Sequence, residues 1–352
     1  MISIIGMCAR TTCIEPWESI PSMRPRREFR SPVMSPMYFD GTVISMWTTG
    51  SRITGFAFAK ASLKALDPAS SNDAGPESTL STFTASDGDN LAVQDWYLPE
   101  GAHQRGAVLV VHGLGEHAGR YDHLARLLND WGFAVRSYDQ YGHGESDGVR
   151  GGLPHPNRLL DDLADLVEST RVRNPGVPLI VIGHSLGGLV AASFVARTLH
   201  AIDGLVLSSP ALALRVGPVQ RMLMAVVPRL APNLTVGNGV DPQFLSHDRR
   251  VVQSYLNDPR VHDRISARLA RFMEDEGALV RSRAPSWNVP TLLMYAGDDR
   301  LVQPQGSAAF ATAAPERFVT ARRFDALYHE IFNERDAQSV YDCLRQWLDA
   351  HF

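Results

Sequence analysis

Cysteine is nearly absent from this chain of 352 residues: Cys8, Cys13 and Cys343 are the whole supply. Three thiols, two of them close to the start, make no disulfide framework, so a reducing, cytoplasmic setting is the expectation. Lysine is scarcer still, with Lys60 and Lys64 the only two. No apolar run approaches the roughly 20 residues that a membrane-spanning helix requires. Charge of one sign is also missing. Thirty-four basic side chains against 38 acidic ones leave a formal net charge of -4 and a pI near 6.3, which gives no footing to a nucleic-acid-binding surface. There is no internal repeat. What remains is a chain with 44% apolar residues, enough to bury a core.

The scarce residues also mark a boundary. Both lysines and six of the ten methionines lie within residues 1–77, together with prolines 16, 21, 25, 32 and 36, mixed charges and little periodicity. This stretch reads as a disordered or processed extension, or as sequence upstream of a true start at Met34, Met37 or Met46. A secretory signal is the weakest of the readings, because no basic residue precedes Ile2-Ser3-Ile4-Ile5. No chemistry is assigned to it.

From Ser78 onward the chain alternates. A hairpin is expected over Thr79–Ala85 and Leu91–Leu98, turning at Asp87-Gly88. Strand and helix then exchange: a strand over Ala107–Val111, a helix near Tyr121–Asp130, a strand over Phe133–Tyr138 and a helix near Asn157–Arg173. Further strands are expected at Pro178–Ile182, Gly204–Ser208, Thr291–Ala296 and Arg317–Arg323. Such alternation implies an α/β fold with a mostly parallel sheet covered on both faces.

Within that pattern, Gly183-His184-Ser185-Leu186-Gly187 sits between an apolar strand and the apolar helix beginning near Leu189. A serine on so tight a turn adopts a strained backbone, and side chains two residues to either side would collide, so both positions are glycine. Gly144-Glu145-Ser146-Asp147-Gly148 has the same five-residue pattern, but loop chemistry flanks it on both sides. Ser185 is therefore the candidate nucleophile and Ser146 a loop serine.

A serine hydroxyl needs a base and an orienting carboxylate. Of twelve histidines, His184 is expected to point away from the site and pack beneath the turn, and His112 and His143 read as structural. His329, in a loop before the last helix, is the candidate base. The carboxylate belongs at the end of the strand Thr291–Ala296, where Asp298 and Asp299 stand side by side; a turn carboxylate capping the helix from Gln303 is an alternative role for Asp298. Two backbone N–H groups should receive the oxyanion, those of Leu186 and of Leu114, the latter in His112-Gly113-Leu114-Gly115-Glu116-His117.

These stretches, with Gly119-Arg120-Tyr121, Asp139-Gln140-Tyr141-Gly142-His143-Gly144, Gly297–Val302 and Tyr328-His329-Glu330, resemble the α/β-hydrolases. More narrowly, the chain is similar to the monoacylglycerol lipase and lysophospholipase group across roughly residues 78–352. The resemblance implies Asp299 as the triad acid, since in that group the acid directly precedes Arg-Leu or Arg-Ile. It also implies a helical cap over the site, inserted at about residues 211–289, where the alternation stops. A small residue usually follows His-Gly in the group; Leu114 is bulkier, which leaves its backbone role intact and narrows the acyl entrance.

Within the cap, Met222 and Met224 fall in an apolar stretch that could line an acyl site, form a membrane-docking lip, or pack the cap onto the domain. The expected activity is hydrolysis of small lipid esters, monoacylglycerols or lysophospholipids, with no metal and no organic cofactor, at most a transient membrane-surface contact, and no nucleic-acid partner. Hydrolysis of soluble esters, thioesters or amides is the alternative within the enzymes. A non-catalytic ligand-binding relative is the alternative outside them, and retention of all three triad residues speaks against it.

Overall fold

Uninterrupted runs of Val, Ile and Leu have no polar face to offer water, so they become strands covered on both sides. The computed structural model describes the backbone of Val33–Phe39, Thr42–Thr49 and Arg52–Lys60, and residues 78–199, 201–215, 217, 222 and 226–352. The chain divides into two units, Met1–Asn72 and Asp73–Phe352. In the first, β1 (Val33–Phe39), β2 (Thr42–Thr49) and β3 (Arg52–Lys60) form an antiparallel sheet in that order. The composition of residues 1–77 did not suggest these strands, because the apolar residues among them follow no sustained alternation.

The second unit is built on an eight-stranded sheet. β4 (Thr79–Thr84) and β5 (Asn90–Trp96) make the opening hairpin, with Gly88 at φ +96° in its turn. β6 (Gly106–Val111), β7 (Phe133–Tyr138), β8 (Leu179–His184), β9 (Gly204–Ser208), the cap strands β10 (Thr235–Gly237) and β11 (Arg264–Ser266), then β12 (Thr291–Ala296) and β13 (Val319–Phe324) follow. The order across the main sheet is β13-β12-β9-β8-β6-β7-β5-β4. Its strands from β6 onward pair in parallel, and β4 and β5 are antiparallel.

Helices cover both faces. α1 (Asp122–Asp130) and the C-terminal helix Gln338–His351 close one core, with Leu124, Leu128, Val340 and Leu344 fully buried. α2 (Arg158–Arg173), α3 (Leu186–Ala196) and the helices Ala267–Arg283 and Pro304–Ala313 close the other. Helix α3 is buried on every side, because the sheet lies beneath it and Ala267–Arg283 packs across it.

Between β9 and β12 the expected helices stand at Arg249–Asn257 and Ala267–Arg283. They are joined by a feature the helical expectation omitted, the short antiparallel ladder β10–β11. Three-residue strands with a partner almost thirty residues away carry no readable alternation. The described part of the preceding helix is 226–230 together with Met222. Met224 lies outside the described residues. Among the described residues no helix is long and apolar enough to cross a membrane.

Candidate active site

Parallel strands deliver their C-terminal ends to one edge of the sheet, and the loops there carry the site. At the end of β8 the chain reverses into α3 through Ser185, whose φ is 52° and ψ -116°. This is a costly conformation for a residue with a Cβ, held in place by the packing around it. The flanking glycines are sterically required. A Cβ on Gly183 would meet the Gly187 carbonyl oxygen at 2.5 Å, and one on Gly187 would overlap the carbonyl oxygen of Val111. The other match to the motif, Ser146, is a brace: its Oγ donates to the Asp139 carbonyl at 2.6 Å and accepts from the Ala92 N–H at 2.8 Å.

Asp299 follows β12 and is 2% exposed. One of its oxygens accepts from the N–H groups of Leu301 and Val302, at 2.9 and 3.0 Å. The other lies 2.7 Å from His329 Nδ1. Burial pushes the Asp299 carboxyl upward, but the neighbouring imidazole and those donors outweigh it and hold it below its ordinary value. An ionised Asp299 places the His329 proton on Nδ1 and leaves Nε2 as the basic nitrogen. Asp298 points outward to Arg300 at 3.2 Å, with both side chains about half exposed. It caps no helix: the N-cap of Pro304–Ala313 is Gln303, without a side-chain bond. Arg215 braces the acid loop from the cap side, donating to the Asp299 carbonyl at 2.6 Å.

Ser185 and His329 line one cavity of about 400 Å³, together with Gly113 and Leu114. Its apolar wall comes from Leu214, Leu245, Ile265, Ala270, Met273 and Val302, and its polar wall includes Glu116, Arg215, Tyr255 and Arg300. That volume suits a small organic ligand. Leu186 is the first residue of α3, so its N–H is among the four without an intrahelical acceptor. Met222 is 63% exposed and is not among the cavity-lining residues. Met273, from the helix Ala267–Arg283, is the methionine on the cavity wall.

Two features escaped the sequence reading. His184 does not turn away; its Nδ1 lies 3.1 Å from Ser208 Oγ and its ring meets that of His329 at 4.8 Å between centroids. Burial, then the adjacent His329, lower its pKa to about 4, so it stands neutral beside the base. Beneath the site, Arg120 bridges Glu116 at 2.5 Å and Glu330 at 2.7 Å. Burial would raise Glu116, but the Arg120 guanidinium leads the charges that bring it down to about 2. The i,i+4 spacing of Glu116 and Arg120 was visible in the sequence; the approach of Glu330 from 210 residues away was not.

The site carries a pH signature. Burial lowers His329, but the Asp299 charge and hydrogen bond outweigh it, with Glu330 and Glu116 adding, and the imidazole titrates above its ordinary 6.5. A base must be neutral to act, so kcat/KM should rise with pH through a midpoint above 6.5. Stability runs the other way: the contribution of the raised His329 is complete below the unfolded value and lost as pH rises through the folded one. A pH–rate profile with its acid limb below 6.5 would contradict the arrangement. Among the described residues no group of three His, Cys, Asp or Glu side chains is placed to hold a metal ion.

Comparison with known proteins gives a consistent picture. The family model for serine aminopeptidase, S33, matches residues 102–336, a span that contains Ser185, Asp299 and His329. A monoacylglycerol lipase of Mycolicibacterium smegmatis is 34% identical over 262 residues, covering 74% of this chain and 93% of that protein. An uncharacterized abhydrolase domain-containing protein of Dictyostelium discoideum is 32% identical over 275 residues, 77% of this chain, which spans 29% of that protein's length. The crystal structure of Paleococcus ferrophilus monoacylglycerol lipase superposes with a TM-score of 0.67 at 34% identity, covering 74% of this chain and 99% of that one.

Proposed function

This chain belongs to the serine aminopeptidase, S33, family of hydrolases, and from that premise we propose that it hydrolyses small lipid esters, monoacylglycerols or lysophospholipids, through an acyl-enzyme on Ser185. The observation that carries the reading is the strained serine opening into a largely apolar cavity that His329, bonded to Asp299 at 2.7 Å, also lines. Residues 78–352 form the hydrolase domain in this reading, and residues 211–289 its cap.

His329 Nε2 takes the Ser185 proton as Oγ attacks the ester carbonyl carbon. The N–H groups of Leu114 and Leu186 hold the resulting oxyanion, and Asp299 stabilises the imidazolium. The tetrahedral species collapses as His329 passes that proton to the leaving alcohol, leaving the acyl group on Ser185. Water, deprotonated by the same imidazole, then attacks the acyl carbon, and the fatty acid departs as Ser185 recovers its proton. No step calls for a metal or an organic cofactor.

The exposed apolar residues of the cap, Leu230 at 81%, Met222, Val226, Leu234 and Val236, support transient docking on a lipid surface. The small cysteine content supports a cytoplasmic setting at such a surface. Arg215 and Arg300 stand on the cavity wall beside Glu116 and Glu330, so lysophospholipids are compared with monoacylglycerols in the same assay.

The test is fatty-acid release from monoacylglycerols and lysophospholipids of graded acyl length, beside short soluble esters. Each methylene buried against the apolar wall is worth about 0.8 kcal/mol, so kcat/KM should climb about fourfold per methylene until the cavity is filled. Activity confined to the short soluble esters would remove the lipid assignment.

A further inference from the structure

We infer that the cap is part of the oxyanion machinery: its segment 258–262, through the Asp258–His117 contact, positions the loop that presents the Leu114 N–H. The inference rests on the proposed role of Leu114. That N–H shares a peptide unit with the Gly113 carbonyl, which lies 2.7 Å from His112 Nδ1. With Gln140 N–H donating to His112 Nε2 at 2.9 Å, the proton sits on Nδ1, and the upstream edge of the peptide is held from within the domain.

Downstream, Glu116 ties the loop to the domain, accepting from the Gly113 N–H at 2.6 Å and from Tyr121 Oη at 2.7 Å, and the cap adds a hold on either side of it. Gly115 adopts φ +82°, and its carbonyl accepts from the His262 N–H of the cap at 2.9 Å. The approach is tight enough that a Cβ on Gly115 would overlap the His262 carbonyl oxygen and come within 3.3 Å of Tyr255 Oη. Two residues on, His117 Nδ1 accepts from the Gly119 N–H at 3.1 Å, which leaves the proton on Nε2 to donate to Asp258 Oδ2 at 2.8 Å. The His117 side chain is 2% exposed. Asp258 is aimed in turn by Arg260, whose N–H, Nε and Nη2 reach its carboxylate at 2.9, 3.1 and 3.0 Å. The cap therefore grips the loop at residue 115 and again at residue 117, just beyond the donor.

The consequence is a link between cap seating and rate. Substrate contacts most of the cavity wall whether or not Leu114 N–H is aimed, but only the transition state needs the aimed donor. Asp258 and His117 are thus positioning residues. Removing an oxyanion donor outright costs about 10²- to 10³-fold in kcat; releasing its loop should cost less, about ten- to a hundredfold.

The experiment compares kcat and KM for monoacylglycerol hydrolysis by the full chain carrying Asp258→Ala, His117→Asn, both, or Asp258→Asn. His117→Asn keeps a side-chain oxygen for the Gly119 N–H and loses the reach to Asp258. Asp258→Ala and His117→Asn should each lose kcat about ten- to a hundredfold with KM within about threefold. The double variant should be no slower than the worse single, because both act through one contact. Asp258→Asn, which still offers the His117 N–H an oxygen, should recover to within about threefold of the native rate. If Asp258→Ala does not fold, His117→Asn set against Asp258→Asn answers the same question. Asp258→Ala and His117→Asn with kcat within about twofold of native, or with a raised KM at native kcat, would overturn the inference. Failure of the broader reading looks different: native turnover would then survive Ser185→Ala.

Discussion

Ser185→Ala should abolish ester turnover, with a loss on the order of a millionfold in kcat, about 8 kcal/mol of transition-state stabilisation. The size follows from the division of labour in the site. With Oγ gone no acyl-enzyme can form, and His329 and the Leu114 and Leu186 N–H groups are left facing a carbonyl with no attacking atom. The residual rate would be that of a bound ester meeting water in a favourable field. The fold should survive, because alanine carries the same Cβ through the same backbone conformation, φ 52°, and the clearances that matter belong to Gly183 and Gly187. Thermal unfolding of the variant within a few degrees of native would confine the loss to chemistry. Fatty-acid release from monoacylglycerols, native and variant side by side, is the measurement. Retained turnover would mean a nucleophile other than Ser185, and Ser146 is a poor one, since its Oγ is already spent between Asp139 and Ala92.

How far the sequence foresaw this site depends on the range of the interactions involved. Phe133–Tyr138, Gly204–Ser208 and Thr291–Ala296 were legible to the residue, because a buried strand is an apolar run with turn residues at its ends. β13 lies two residues from the expected start, for the opposite reason: Val319–Phe324 is an edge strand whose middle residues face solvent, so no apolar run marks its limits. Ser185 was read from turn chemistry at a strand end, His329 from its loop and place in the chain order, and Asp299 was preferred to Asp298 on the family resemblance. Their convergence follows from parallel strands ending on one side of the sheet.

What the sequence did not display is what reaches across it. His184 was expected to turn away; instead it stands with Ser208 on the neighbouring strand and leans on His329. The Arg120 bridge to Glu330 and the grip of Asp258 on His117 join residues 210 and 141 apart in the chain. Charge spacing along one segment says nothing of such partners. The β10–β11 ladder has the same origin, since each of its strands is too short to declare itself and exists only through the other.

Exchanging one carboxylate oxygen at residue 299 should cost far more than the same exchange one residue earlier. Asp299→Asn is expected to lower kcat about 10⁴-fold, and Asp298→Asn to leave it within about twofold of native. In the native protein the ionised Asp299 accepts a hydrogen bond from His329 Nδ1–H, so Nε2 is free to take the Ser185 proton. An amide at this position can keep its oxygen on the N–H groups of Leu301 and Val302, which hold the acid loop. Its NH₂ then faces the imidazole, and Nδ1 must accept rather than donate. The ring is forced into the tautomer with its proton on Nε2, where a base is needed. The loop is preserved while the chemistry is lost.

The same change should move the pH profile. The Asp299 charge and its hydrogen bond hold the buried His329 above its ordinary value, and without them burial acts in the other direction. The acid limb of whatever activity remains should therefore shift to lower pH than in the native protein. Asp298 meets neither condition: its half-exposed carboxylate faces Arg300 at 3.2 Å, the kind of surface pair worth about 0–1 kcal/mol. Rates and pH profiles of the two variants decide between the neighbours. Loss at Asp298 with retention at Asp299 would place the triad acid one residue earlier.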